Sequence, residues 1–458
     1  MSLNKNTIIT VDIVDFTFEG LGVAKFGELA VFVHGAVIGD KAKIKILAVK
    51  KRYAYAKVEE LLSASSIREK PKCQHFGKCG GCSLQHINYN AELNFKKKLI
   101  SDAFNKANIN TTNPNSEIII HNSKEYNYRN KCSLPIRRGK EGEILIGFFR
   151  KKSHDIINIV ECPLQSTPVA PLVAALKSWI LSSGTTPYCE QTHTGNLRHI
   201  TMRSIGGKTV ICLVLNETRG RSKYFNLATF ASALEKLYGD NFTLWVNYNT
   251  NKTNVIYGSK FSLAASNDTP VLLDGLQLKV HPAGFFQVND NVREMLFNYV
   301  ETLTKDIGAN TIIEAYAGQG VLAAKLHKYA SVVFAIEICK ESIESGREMA
   351  QLNGIKNLNF VLGDCAIELG KVLSKILKKE NNTMLILDPP RSGLCNKTIA
   401  AVATTPPPHI IYISCNPLSL ARDIAALSPQ YRIADITAFD MFAKTLNVET
   451  VVHLVQSA

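Results

Sequence analysis

The chain has 458 residues, more than one ordinary domain holds, and about three domains are expected. Its 46% hydrophobic content permits a sizeable core, and its formal charge is +14. It has no run of about 18 apolar residues and no apolar N-terminal signal stretch. A membrane-spanning helix and a secreted, disulfide-built fold are therefore not expected. The expectation is a cytoplasmic protein whose eleven cysteines serve metal binding or catalysis.

The basic excess is concentrated. Residues 41–57 carry seven Lys or Arg and no acid, and residues 124–152 carry nine against three Glu. Such patches suit a polyanion, either nucleic acid or an acidic membrane surface, although a solvated basic face is the plainer alternative. Residues 5–62 alternate apolar and polar positions between Gly-rich turns, which predicts a small all-β module with lysines on one face of KAKIKIL. Small β-barrels of the oligonucleotide-binding kind are common nucleic-acid platforms. The cysteine-bearing loop 63–82 comes next, and helical spacing is predicted over about 84–107. Residues 117–270 mix short strands and helices. From about 276, helices alternate with the buried runs TIIEAYAG, SVVFAIE, NLNFVLGD, TMLILDPP and HIIYISC, the pattern of a parallel α/β sheet. The expected division is 1–62, 63–275 and 276–458, with the helix near 84–107 free to pack on the last unit.

CQHFGKCGGCSLQH gives Cys73, Cys79 and Cys82 in a C-x5-C-x2-C spacing, with glycines that let the backbone fold around a shared centre. Cys162 in VECPLQ is the best fourth ligand, since proline also follows the fourth cysteine of the ferredoxin pattern. Cys132 is the alternative, and His75 or His86 could replace a thiolate. Zinc and an iron–sulfur cluster both suit four thiolates.

In EAYAGQGVLAAKL a strand turns through Gly318 and Gly320 into a helix, so a ligand can approach the backbone. Glu337 ends the next strand, 17 residues after Gly320, placed to accept ribose hydroxyls. Asp364 closes the third strand, where an adenine amine could be met. Asp388 tips the fourth, followed by Pro389 and Pro390. An Asp-Pro-Pro there resembles base-directed methyltransferases that use S-adenosylmethionine, and the Arg391 that follows disfavours exocyclic-amine methylation. Cys415 ends the fifth strand. Asn416 can cap the next helix and Pro417 suits its first turn. The helix dipole is expected to favour the thiolate, helped by Arg422 if it reaches back. Taken alone such a cysteine is more often inert. Beside a methyl donor it suits addition to carbon 6 of uracil, which makes carbon 5 nucleophilic. A base must then remove the carbon-5 proton, and Glu449 in NVETVVHLV is the candidate.

Together these residues resemble the RNA uracil-5-methyltransferases, specifically the bacterial 23S rRNA type. DFTFEGLGVAKFGELAVFVHGAVIGD resembles its TRAM domain, and CQHFGKCGGCSLQH with Cys162 its [4Fe-4S] site. FFQVN, DPPRSGL and SCNPLSLARD resemble its catalytic motifs. The resemblance implies an N-terminal OB-like barrel, an α+β central domain and a Rossmann-like catalytic domain. It also implies Cys415 as nucleophile, Glu449 as proton acceptor, and ligation of the cluster by Cys73, Cys79, Cys82 and Cys162. Gln287, Tyr316, Gly318, Gly320, Val321, Glu337, Asp364 and Asp388 would hold or surround S-adenosylmethionine. Two segments depart from the family: Glu314-Ala315-Tyr316-Ala317-Gly318 replaces Asp-x-Tyr/Phe-Cys-Gly, and Ala443 and Asn447 replace a proline and a histidine before Glu449. The expected protein is an RNA-binding monomer acting on 23S rRNA. Alternatives are a tRNA methyltransferase, a non-catalytic RNA-binding protein and, more remotely, an oxidoreductase.

Overall fold

The computed structural model describes residues 3–109, 118–159, 161–217, 226–265, 268–378 and 382–457. The N-terminal segment forms one six-stranded sheet, in the order Ile8–Asp12, Lys41–Val49, Tyr53–Ser63, Leu29–His34, Gly22–Phe26, Asp15–Phe16. It curls around a narrow core in which Ala24, Val31, Val33, Ala42, Ile44, Ile46, Ala54 and Ala56 are fully buried. The alternation read from KAKIKIL holds: Ala42, Ile44 and Ile46 point inward, and Lys41, Lys43 and Lys45 point outward. Gly22 is needed for the close strand crossing, because a Cβ there would lie 2.7 Å from Ala36 Cβ.

The middle segment builds a seven-stranded sheet, covered by the helices Ala170–Ser183 and Leu227–Tyr238. Leu172, Leu176, Trp179, Phe230 and Leu234 fill the space between helices and strands. The segment also reaches into the sheet of the C-terminal unit. Helix Tyr89–Lys106 begins five residues later than expected, where Asn88 Oδ1 accepts from Ala91 N at 2.9 Å. It packs on helix Pro417–Leu427 through Ile100, Ala103 and Phe104. Strand Ile119–His121, too short to read from periodicity, pairs in parallel with Thr437, Ala438 and Phe439.

The C-terminal sheet has eight strands in the order Leu358–Leu362, Val332–Glu337, Thr311–Ala315, Thr383–Leu387, His409–Ser414, Glu449–Gln456, Tyr431–Phe439, Ile119–His121. The first five are the parallel strands read from the sequence. Their centres are buried on both faces, as in Ile312, Ile313, Leu385, Ile386 and Ile411, and this explains their continuous apolar runs. Glu449–Gln456 inserts antiparallel between two neighbours. Among the described residues no helix is long and apolar enough to cross a membrane.

Candidate active site

The antiparallel insertion decides where the proposed acid lies. Ser414 pairs with Thr450, so one residue further along Cys415 falls opposite Glu449. Beyond Cys415, Asn416 caps helix Pro417–Leu427, its Oδ1 accepting from Leu418 N at 3.2 Å. Asn416 Nδ2 and Ser419 Oγ both donate to Arg391 O, at 3.0 and 3.1 Å, and so tie the Asp388-Pro389-Pro390-Arg391 loop to the helix start. Arg422 does not reach back to Cys415. It pairs with Asp423 at 2.7 Å and donates to Ser392 O at 2.8 Å. Buried Asp423 also accepts from Tyr412 Oη at 2.6 Å and Leu394 N at 2.7 Å, so this pair shapes the loop and not the thiol.

The half-buried Cys415 thiol is pushed up to about 12 by burial and by the charges of Glu449 and Asp388, against the opposing pull of Arg391. The expected resting thiolate is thus corrected to a thiol. Buried Glu449 is itself held well above the usual carboxyl range, by burial and then by Asp388. Burial likewise raises Asp388 to about 7. The site therefore holds one thiol and two carboxyls that cannot all ionise together, a setting in which protons are readily passed.

Beside this group, Tyr316, Gly318 and Gly320 all take positive φ, at 64°, 56° and 70°, and fold the loop before helix Val321–Leu326. Gln287, Tyr316, Val321 and Asp388 line one small cavity of about 50 Å³. Glu337 Oε2 accepts from Gly318 N at 2.9 Å and its Oε1 from Cys339 N at 2.9 Å. Exposed Asp364 caps helix Cys365–Ile376 through Ala366 N at 2.9 Å. Residue chemistry missed Glu314, whose Oε2 accepts from Ala323 N at 2.9 Å beneath the glycine loop. Burial, together with Asp388 and Glu337, raises it to about 8. Buried Gln319 Nε2, on the same cavity, has no partner. These acids and the orphaned amide fit a cationic, hydrogen-bonding ligand such as S-adenosylmethionine. The family's acidic position, here Glu314, was the available signal.

A second cavity, of about 880 Å³, adjoins Cys415. Cys73, Cys79, Cys82 and Cys162 all line it, with Arg129, Lys151 and Arg391. Cys132 instead lies in the core of the middle sheet, and neither His75 nor His86 lines the cavity. Cys82 is raised to about 12 by burial, and the other three cysteines add to the shift, so the four thiols sense one another. Among the described residues no three His, Cys, Asp or Glu side chains are placed to hold a single metal ion. The donor set suits thiophilic iron or zinc.

Segment 440–447 joins this cysteine loop to Glu449. Lys444, at φ 64°, accepts through its carbonyl from Ser83 N at 3.0 Å and Leu84 N at 3.1 Å. Its own N–H donates to Glu92 Oε1 at 2.6 Å. Fully buried Lys96 bonds Glu92 at 2.7 Å and Asp440 at 2.6 Å, and Lys444 Nζ pairs with Glu125 at 2.7 Å. Ala443 packs among Tyr126, Tyr128, Cys82 and Cys162, and Asn447 Oδ1 accepts from Arg391 Nη2 at 2.7 Å. The two departures from the family are therefore accommodated by packing and by a hydrogen bond. Lys96→Met should remove the ammonium shared by Glu92 and Asp440, leaving Glu92 with Lys444 Nζ at 3.4 Å and Asp440 with Tyr89 Oη at 2.7 Å, and cost about 3–5 kcal/mol, read from urea denaturation.

Residues 88–457 match the family model for tRNA (uracil-5-)-methyltransferase, and residues 3–58 match the TRAM domain. An uncharacterized RNA methyltransferase of Clostridium tetani is 31% identical over 454 residues, covering 98% of this chain and 96% of the relative. One from Halalkalibacterium halodurans is 30% identical over 457 residues, covering 99% and 98%. Among solved structures, the Pyrococcus abyssi tRNA (uracil-54, C5)-methyltransferase in complex with S-adenosyl-L-homocysteine superposes with a TM-score of 0.75. It is 26% identical, and the match covers 97% of this chain and 99% of that one.

Proposed function

This chain belongs to the tRNA (uracil-5-)-methyltransferase family and carries a TRAM domain, and we propose that it methylates carbon 5 of a uridine in 23S rRNA through a covalent adduct on Cys415. The observation that carries the covalent route is the pairing register that sets Cys415 opposite Glu449, with Asp388 close enough to raise both, and the 23S rRNA target rests on the resemblance of the barrel and the cysteine motif to the rRNA type. The target uridine must leave its stack to reach this depth. Cys415 gives its proton to the ionised member of the neighbouring carboxyl pair, and its sulfur bonds carbon 6. The electrons of the 5,6 double bond move toward oxygen 4 as an enolate. S-adenosylmethionine, held at the glycine loop, would supply an electrophilic methyl group to carbon 5 and leave as S-adenosylhomocysteine. The pair loses one proton to solvent, Glu449 as carboxylate takes the carbon-5 proton, the 5,6 double bond re-forms, and the carbon–sulfur bond breaks as the other carboxyl returns its proton to the sulfur. Arg391, held by Asn447, stabilises negative charge beside the sulfur.

Gln287, Tyr316, Gly318, Gly320, Val321, Glu337 and Asp364 form the proposed S-adenosylmethionine site with Asp388. Cys73, Cys79, Cys82 and Cys162 are the proposed ligands of a [4Fe-4S] cluster. Its role here is structural, because the methylation needs no electron transfer. Anaerobically purified protein should contain about four irons and absorb broadly in the visible. A content of one zinc would replace the cluster reading.

The likeness to the Pyrococcus enzyme favours a second reading, a tRNA substrate. Unmodified 23S rRNA and unmodified tRNA, methylated side by side with the 5-methyluridine mapped, separate the two. The rRNA reading expects label at a defined rRNA position, and label in tRNA alone would reverse it.

A further inference from the structure

We propose that the outward face of the barrel is a base-stacking platform for an unpaired RNA strand leading into the Cys415 cavity. The proposal rests on RNA being the substrate and adds how a flanking strand is gripped. Phe32, Tyr53 and Tyr55 sit together on this face. Their ring centroids are 5.6 Å (Phe32–Tyr53), 5.8 Å (Phe32–Tyr55) and 5.5 Å (Tyr53–Tyr55) apart. Their strand neighbours Val31, Val33, Ala54 and Ala56 point inward and are fully buried, so the pleat turns all three rings away from the core. The three rings pack on one another and remain only half-buried, so each keeps part of its surface open.

Basic residues flank the rings on both sides. Phe32 lies opposite Tyr55. One pleat further along, His34 lies opposite Lys57, which lies opposite Lys45. On the other side Lys25 lies opposite Ala30, which lies opposite Tyr53, and exposed Lys50, Lys51 and Arg52 precede that tyrosine. Lys57 spends part of its charge on Glu59 at 3.4 Å. Aromatic faces between rows of cations match bases and phosphates of a single strand. A duplex hides its base faces, so an unpaired strand is the occupant that these rings select.

The platform is continuous with the catalytic cavity. His34 lines that cavity with Glu19, Lys151 and Lys152. The charges of Lys151 and Lys152 help to hold His34 down, after burial, and Glu19 is among the charges that raise Tyr55. The path therefore runs from the rings past His34 and the two lysines to the wall that also carries Cys415.

The test uses the full-length protein and two labelled probes, an oligouridine of about 12 nucleotides and a duplex hairpin of similar length. Phe32→Ala, Tyr53→Ala and Tyr55→Ala should each weaken oligouridine binding about tenfold, while hairpin binding and the salt slope stay unchanged. Tyr55→Phe should bind like wild type and Tyr55→Leu like Tyr55→Ala, which separates stacking from bulk and from misfolding. Lys151→Ala should lower the salt slope by about 0.7. Unchanged oligouridine affinity in the alanine variants, or equal loss with the hairpin, overturns the platform. A 5-fluorouridine adduct on Cys415, formed at saturating RNA, tests the methyltransferase reading separately, because its absence in wild type leaves the binding result standing.

Discussion

Cys415→Ala is expected to lose at least about 10⁴-fold in methylation rate, and to form no denaturation-resistant adduct with 5-fluorouridine RNA. Fluorine cannot leave as a proton, so the wild-type covalent intermediate should persist on a denaturing gel. Survival of that adduct in Cys415→Ala would move the nucleophile to another residue. Exposed Cys395 is the natural control. It lies on the rim of helix Asn396–Thr404, with Thr398 Oγ1 3.3 Å from its sulfur, and its thiol is held low by Thr398. Cys395→Ala should leave both adduct and turnover intact. The more acidic thiol is thus not the proposed nucleophile, and the reason is placement. Cys415 sits opposite a carboxyl that can return a proton, on the wall of the large cavity.

The resting state of that thiol shows how far residue chemistry reads. The Asn-Pro helix start is where the sequence puts it, and the dipole argument has the right sign. Its size is the difficulty. A helix N-terminus contributes about 0.3–1 kcal/mol, less than one pH unit. Burial and the neighbouring Glu449 and Asp388 act the other way, and only their combined effect explains a thiol near 12. Attack on uracil therefore has to be coupled to proton transfer, since a standing thiolate is not available.

The five parallel strands, the glycine loop and the cysteine spacing are local patterns, and each reads from a window of a few residues. Lys96 is the opposite case. It lies in a helix whose sequence, NFKKKLISD, gives no sign that one of its three successive lysines is fully buried. Its partner Asp440 is 344 positions away, and no periodicity links them. Arg422 also looked free to reach Cys415. Its neighbour Asp423, buried by Tyr412 and Leu394, takes the charge first. Strand Ile119–His121 is read only through its partner Tyr431–Phe439. Local chemistry singled out the candidate groups, and long-range burial sets their protonation.

Glu449→Gln is expected to stop the cycle at a different point from Cys415→Ala. Asp388 remains in the variant to take the thiol proton, and methyl transfer needs no base, so the adduct should accumulate on ordinary RNA. Turnover should fall by about 10²–10⁴-fold. In the wild type, Glu449 and Asp388 are both raised and share their titration, so raising pH through about 7 frees a base and should raise the elimination rate. Stability runs the other way. A carboxyl raised in the folded state contributes stability below its unfolded value of about 4, and that contribution is lost as pH rises through the folded value. At pH 8 the unfolded wild type ionises this carboxyl freely, while burial and Asp388 oppose its ionisation in the folded state, a penalty that the neutral amide of the variant does not carry. Glu449→Gln should therefore melt higher than wild type at pH 8, with the gap closing toward pH 5. A variant that is inactive, adduct-loaded and more stable in alkali separates a catalytic base from a structural acid. Loss of stability at pH 8 would instead make Glu449 a supporting residue, and the proton acceptor would have to be Asp388.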